Sequence, residues 1–256
     1  MFIDTHCHLS DEKFLDKNQV IKDFVSANVD FVIDVGYDLN SSDSALNLAR
    51  RYGNVFCALG IHPDSAQTVD DNALICLEKL LKEEKCVALG EIGLDYHYEG
   101  YDKNVQKKAF VSQMELAFSL GLPVSIHSRD CTEDMLKILK ENKEKLANGF
   151  VMHCFAGSKE TAKILFDLGA FISFAGTVTF KNAVNVQEVA CYLPIERILT
   201  ETDSPYLAPH PFRGKLNSPS LVPLVAEKIA SLRQIETEIL AEQVKKNAKE
   251  IFKKLR

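Results

Sequence analysis

No stretch of this chain approaches the ~20 consecutive apolar residues that a helix needs to cross a bilayer, so no membrane span is expected. The mark of a secretory leader, a basic start followed by an apolar run of roughly 7–15 residues, is missing as well, because Phe2–Asp4 already reads as a strand. A cytoplasmic protein is expected. Positive charge is in short supply: 30 Lys and Arg stand against 36 Asp and Glu, a net charge of −6. Proteins that clamp a long duplex by neutralising phosphates are usually basic, so any nucleic-acid contact should be local. None of the seven cysteines forms a Cys-x-x-Cys pair, and the odd count points to scattered thiols in a reducing compartment rather than a disulfide framework. Cys7 and Cys154 adjoin histidines but are read as small buried residues, not metal ligands. Repeats, linkers and low-complexity blocks are lacking, and 256 residues suit a single domain over 1–256.

What the chain does contain is an end-to-end alternation. Eight short apolar runs, Phe2–His6, Phe31–Gly36, Val55–Gly60, Cys86–Glu91, Pro123–His127, Phe150–His153, Ala170–Phe174 and Arg197–Thr202, read as strands, several of them rich in Val, Ile and Phe. Helical spacing joins Val20, Ile21, Phe24 and Val25, with Asn18 as the expected N-cap. It also joins Phe110, Met114, Ala117 and Phe118 before Gly121, and Ala162 and Leu165 between a Ser158 cap and Gly169. The tail repeats the pattern through Ile239, Val244, Ile251, Phe252 and Leu255, and Ser204–Pro223 is the one long irregular segment. Eight strands alternating with helices in this length predict an α/β fold, a TIM-like (β/α)8 barrel, with a doubly wound open sheet as the competitor.

The polar residues favour the barrel. The first run ends in Thr5-His6-Cys7-His8, the fourth in Gly90-Glu91, the fifth in His127, the sixth in His153, and the eighth in Glu201-Thr202-Asp203. A closed barrel gathers such residues on one rim, where barrel active sites form, and makes strand eight a neighbour of strand one. On extended backbone the i, i+2 pair His6 and His8 points to one face and Cys7 to the other. One strand-end histidine is weak evidence of a ligand; four imidazoles and two carboxylates at corresponding ends are not independent accidents. Together they can hold two divalent cations, with Glu91 as the bridging carboxylate, because two ions ~3.5–4 Å apart need shared negative charge. The expected chemistry is hydrolysis, with Asp203 as a ligand and proton acceptor for water.

Taken in order, Asp4-Thr5-His6-Cys7-His8, Gly60-Ile61-His62-Pro63, Gly90-Glu91-Ile92-Gly93-Leu94-Asp95-Tyr96, Ser125-Ile126-His127-Ser128-Arg129, His153-Cys154-Phe155-Ala156-Gly157 and Glu201-Thr202-Asp203-Ser204-Pro205-Tyr206-Leu207 resemble the TatD family of metal-dependent hydrolases. The resemblance runs through nearly the whole chain. It implies a TIM-like barrel with one to three divalent cations, His6, His8, Glu91 and Asp203 around one and Glu91, His127 and His153 around a second. It further implies a deoxyribonuclease supported by magnesium or manganese, with 3′→5′ exonuclease activity on DNA and sometimes RNA. Imidazole-rich sites suit zinc and nickel as well. No obligate protein partner is inferred.

Further residues, Asp95 among them, are candidates for substrate contact. His62 can face a phosphate or bond a loop carbonyl. Arg129 can hold a phosphate bidentately or pair with Asp95 to brace two loops, and Glu201 can orient a ligand histidine. Arg213 and Lys215, in the loop after strand eight, suit an anionic substrate. His97 is expected to be exposed. In that last loop the chain departs from the family, with Phe212 and Ser218 where many members carry histidine and glutamate. Two other readings of the metal set stand beside the nuclease: a hydrolase of another ester or amide bond, such as a small molecule or an aminoacyl-tRNA ester, and a metal-holding scaffold without catalysis.

Overall fold

The eight apolar runs become eight parallel strands in the computed structural model, which describes residues 1–255. They are β1 (Phe2–Cys7), β2 (Val29–Val35), β3 (Val55–Leu59), β4 (Cys86–Asp95), β5 (Val124–Arg129), β6 (Phe150–Met152), β7 (Phe171–Phe174) and β8 (Ile198–Thr200). The ladder follows chain order from β1 to β8. Between and after them lie α1 (Lys17–Ser26), α2 (Leu39–Arg51), α3 (Asp71–Leu81), α4 (Lys103–Ser119), α5 (Thr132–Glu141), α6 (Lys159–Asp167), α7 (Val184–Tyr192), α8 (Val222–Arg233) and α9 (Thr237–Ile251). The result is a nearly closed TIM-like (β/α)8 barrel.

Local chemistry starts several helices where the chain must turn back. Asp38 Oδ1 accepts the Ser41 N–H at 2.7 Å, Asp70 Oδ1 that of Ala73 at 2.8 Å, and Asp102 Oδ1 that of Asn104 at 2.8 Å. Each such cap is worth about 1 kcal/mol. Ser158 caps α6 as expected. The start of α1 differs: Asp16, not Asn18, accepts the Gln19 N–H, and the Asn18 side chain instead takes the Tyr52 hydroxyl. The helical stripes bury Phe24, Phe110, Met114 and Val244, yet Val25, Phe118 and Ile239 are exposed, because each lies one residue round from the face that meets the barrel.

β4 extends beyond Glu91, where the apolar run was expected to end, and Gly93, Leu94 and Asp95 pair with His127, Ser128 and Arg129 of β5. Gly93 permits this. It sits at φ +147°, and a Cβ there would lie 2.0 Å from the His127 carbonyl oxygen. Glu91 and His127 thus lie within a ladder rather than beyond it.

Among the described residues no ladder joins β8 to β1. Side chains stitch that seam: Thr200 Oγ1 donates to the Ile3 carbonyl at 3.0 Å, Thr5 Oγ1 donates to the Thr200 carbonyl at 3.1 Å, and Asp4 Oδ1 accepts the Thr202 N–H at 2.9 Å. Above it the Asp203 N–H donates to the His6 carbonyl at 2.9 Å, and the His8 N–H to the Ser204 carbonyl at 2.7 Å. α8 and α9 pack over the outside of the two strands. Asp4 is fully buried, and its carboxyl also bonds the Thr202 hydroxyl. Thr202→Val should therefore destabilise the protein by about 1–3 kcal/mol, the cost of a buried polar group left without a partner, read as a lowered urea midpoint. An unchanged midpoint would show that the seam does not depend on this bond.

Candidate metal centre

Five of the eight strands contribute to one cluster at the C-terminal mouth of the barrel. Glu91, from β4, lies at its centre. Its Oε1 is 2.8 Å from His127 Nδ1 and 2.7 Å from His153 Nε2. Its Oε2 is 3.6 Å from His6 Nε2 and 3.8 Å from His8 Nε2. Asp203, just after β8, places Oδ1 3.5 Å from His8 Nε2 and 3.9 Å from His6 Nε2. The two carboxylate oxygens of Glu91 thus face two different pairs of histidines. Asp203 reaches its position at φ 56°, a left-handed backbone that is uncommon for a residue other than glycine.

The donor set fits divalent metal. His6, His8 and Asp203 form one group of ligand atoms, and Glu91, His127 and His153 another. Ligand atoms each about 2.1 Å from one ion stand ~3.0–3.4 Å apart, close to the spacings here. Both ring nitrogens of His6 are buried without a hydrogen-bond partner, a costly arrangement that a cation held at Nε2 would relieve in part. The other histidines are oriented from behind. His8 Nδ1 donates to the Val35 carbonyl at 2.9 Å, which leaves Nε2 free toward Glu91 and Asp203. His153 Nδ1 lies 3.3 Å from Glu201 Oε1, an oxygen that also accepts the Cys154 N–H at 2.8 Å. His127 Nε2 lies 3.0 Å from Asp95 Oδ2, so its Nδ1 is the atom that meets Glu91. Carboxylates and carbonyls placed in this way fix the tautomer of a ligand histidine and raise its basicity.

Charge follows the same geometry. Burial pushes the Glu91 carboxyl up, but His153, His62 and His127 overcome it and hold the group well below the usual carboxylate range. Asp203 is likewise lowered against its burial, by His8, His6 and His153. Burial works against a charged His8, yet Asp203 and Glu91 bring its pKa up to about 9. His153 and His127 are raised against burial too, the first by Glu91 and Glu201 and the second by Asp95 and Glu91. Burial and the neighbouring His153 lower His6.

The remaining candidates divide. His62 is near the cluster, with Nε2 3.8 Å from Glu91 Oε1 and its ring 4.5 Å from that of His127. Its Nδ1 accepts the Asp64 N–H at 3.2 Å, which puts the ring proton on Nε2, facing the cluster. Asp95, expected to meet substrate, is 3% exposed and engaged on both oxygens, by His127 and by the His97 N–H. It forms no ion pair with Arg129, whose guanidinium is exposed and lies 5.3 Å from the Tyr98 ring centre. Arg213 and Lys215 are exposed, lie over Phe180 and Phe212, and among the described residues make no hydrogen bond or ion pair to the cluster. Cys7 faces away from the histidines, toward the Ile33 carbonyl, and His97 is exposed and bonded to Asp130.

Two residues with a part in the site escaped sequence reasoning. Gln106 and Gln113, both buried on α4, each clamp a strand-end backbone through a side-chain amide. Gln106 accepts from the Asp95 N–H at 3.0 Å and donates to its carbonyl at 2.9 Å. Gln113 does the same to Ile61, at 2.8 and 3.0 Å, beside His62. Their signal was available: two amides seven residues apart on the face that carries Phe110 and Met114. Tyr37 and Tyr206 also flank His8, at ring-centre distances of 5.8 and 6.2 Å.

Comparison with known proteins agrees with this geometry. The family model described as TatD related DNase matches residues 3–253. The chain is 41% identical to YabD of Bacillus subtilis (strain 168), over 99% of both chains. It is 39% identical to YcfH of Escherichia coli (strain K12), over 98% of this chain and 95% of that one. Both relatives are named uncharacterized metal-dependent hydrolases. The crystal structure of YJJV, a TatD homologue from Escherichia coli K12, superposes with a TM-score of 0.93 at 30% identity, covering 98% of each chain.

A histidine whose pKa is raised by folding stabilises the metal-free protein fully below the unfolded value of about 6.5. That stabilisation is lost as pH climbs through the folded value, about 9 for His8. Metal uptake runs the other way, since each ligating nitrogen must shed its proton. Affinity for Mn²⁺ should therefore rise from about pH 6 to about pH 9 with protons released, while the metal-free protein loses thermal stability over the same window. Titration calorimetry in buffers of different ionisation enthalpy measures the first and melting curves the second; an affinity independent of pH would contradict the assignment. Asp95→Ala, which removes the partner of His127, should weaken metal binding roughly 10–100-fold in the same titration. Unaltered binding would show that Asp95 does not position this ligand.

Proposed function

The chain belongs to the TatD family of metal-dependent hydrolases, and we propose that it is a deoxyribonuclease that releases nucleotides from the 3′ ends of DNA, working in the cytoplasm. The observation that carries this reading is the division of Glu91: Oε1 faces His127 and His153 while Oε2 faces His6 and His8. One carboxylate shared between two ligand groups suits a pair of ions, and paired ions suit in-line displacement at phosphorus. When bound, two divalent cations would lower the pKa of a water and neutralise charge on the phosphodiester. Magnesium, manganese, zinc and nickel are all candidates for a site with this mixture of imidazole and carboxylate.

The chain's own groups supply the rest. Asp203 is ionised, and its side chain is 15% exposed, which leaves it open to the barrel mouth. It accepts the proton of the attacking water while the water oxygen bonds to phosphorus. The bond from phosphorus to the 3′ oxygen breaks, a 5′-monophosphate leaves, and the departing oxygen takes a proton from solvent. His62, with its Nε2 proton turned inward, donates to a non-bridging phosphate oxygen. Arg129, Arg213 and Lys215 lend positive charge to the loops around the mouth of an otherwise acidic protein, which fits contact with a few phosphates at a strand end rather than with a long duplex. The seven unpaired cysteines suit a reducing compartment.

A time course of product lengths from an end-labelled single-stranded oligonucleotide, run with each metal in turn, tests the proposal. Stepwise shortening from the 3′ end is expected, and Asp203→Asn should slow it at least about 100-fold, the scale of a lost general base, in a protein that still folds. Absence of any nucleotide release by metal-loaded protein, with turnover of carboxylic esters or amides instead, would replace the nuclease with the other hydrolase reading.

A further inference from the structure

Two cavities flank the Glu91 cluster. One, of about 340 Å³, opens over His8, His62 and Glu91 between the exposed rings of Tyr37 and Tyr206. The other, of about 210 Å³, is the more enclosed and lies on the opposite side, between the segments that follow β5 and β6. His153 lines this second cavity and so joins it to the metal centre.

We infer that the smaller cavity seats the base of the terminal nucleotide, a subsite that rests on the nuclease reading above. Its floor is apolar and built from Met135, Met152, Phe155 and Leu165, none more than 7% exposed. Ser128, Arg129, Thr132 and Thr161 stand at the rim with Asp130, whose carboxylate is paired with His97. A flat ring with polar edges matches both parts: its faces meet methionine sulfur and the Phe155 ring, and its edge meets hydroxyls. The place of the Phe155 ring depends on Gly157, where a Cβ would lie 2.7 Å from Phe155 Cζ. A hydroxyl both donates and accepts, so the rim suits any base rather than one. Arg129, on the same rim, supplies a charge beside the ring for its phosphate. The smaller, more enclosed cavity suits one unit, while the more open one between Tyr37 and Tyr206 leaves a path for the rest of the strand. This division sets the order of events: the last nucleotide fills the pocket, and the bond beside it lies over Glu91.

The experiment compares two oligonucleotides with the metal-loaded full chain, one ending in an intact 3′ nucleotide and one ending in an abasic sugar phosphate. The intact end should be released about tenfold faster or more in kcat/KM, the scale of one stacked base. Thr161→Trp, which fills the cavity from its rim, should erase the difference. A readout without turnover accompanies it: with methyl-labelled methionine in the metal-free protein, a deoxynucleoside monophosphate should shift the Met135 and Met152 resonances and leave Met114, in the α4 core, unmoved. Equal rates on the two ends, or methionine shifts reproduced by deoxyribose 5-phosphate, would overturn the subsite and leave the nuclease standing. Failure to hydrolyse either oligonucleotide would overturn the nuclease reading and the subsite with it.

Discussion

Everything at the mouth of this barrel is arranged around one buried carboxylate. Glu91 is 4% exposed and carries its charge within reach of histidines from β1, β5 and β6. A carboxylate in that position without partners would cost several kcal/mol. The histidines that compensate it are contributed by distant segments, and they come together only when the strands lie side by side in a ring. Chemistry and closure are therefore coupled: the cluster requires the barrel, and the bonds that complete the barrel at β8 and β1 lie directly beneath His6, His8 and Asp203.

Around the cluster runs a second set of groups whose task is orientation. Val35, Glu201 and Asp95 each hold one ring nitrogen of a histidine, leaving the opposite nitrogen to face the centre. Gln106 then grips the backbone of Asp95, and Gln113 that of Ile61, so α4 anchors the ends of two strands from outside. These bonds connect a candidate metal ligand, His127, to a helix through one intervening carboxylate. His6, Glu91 and His127 stand on strands, and His8, His153 and Asp203 within three residues of a strand end, so all six candidate ligands are positioned by the barrel wall.

Beyond this frame the rim is less tightly built. Arg129, Arg213 and Lys215 extend over aromatic rings rather than into ion pairs with the cluster. Such side chains keep their charge available at the surface. Phe212 and Ser218 fall in this loop and belong to neither group of candidate ligand atoms.

Much of this was legible in the residues. The eight runs, the same-face pair His6 and His8, the burial of Cys7 away from them and the Ser158 cap all depend on spacing within a few residues, which backbone geometry converts directly into direction. The choice of Asp16 over Asn18, the exposure of Val25 and Phe118, and the length of β4 were not legible, because each is settled by what lies opposite in the fold. The surroundings of Asp95 are the clearest case. Its position after a strand suggested a contact for substrate, whereas a histidine 32 residues away claims its carboxylate. Which residue types reach the rim follows from strand periodicity and chain order, which act locally. Which nitrogen a histidine presents, and which carboxylate or carbonyl stands behind it, depends on hydrogen bonds between residues far apart in the chain, and these exist only after the barrel has closed.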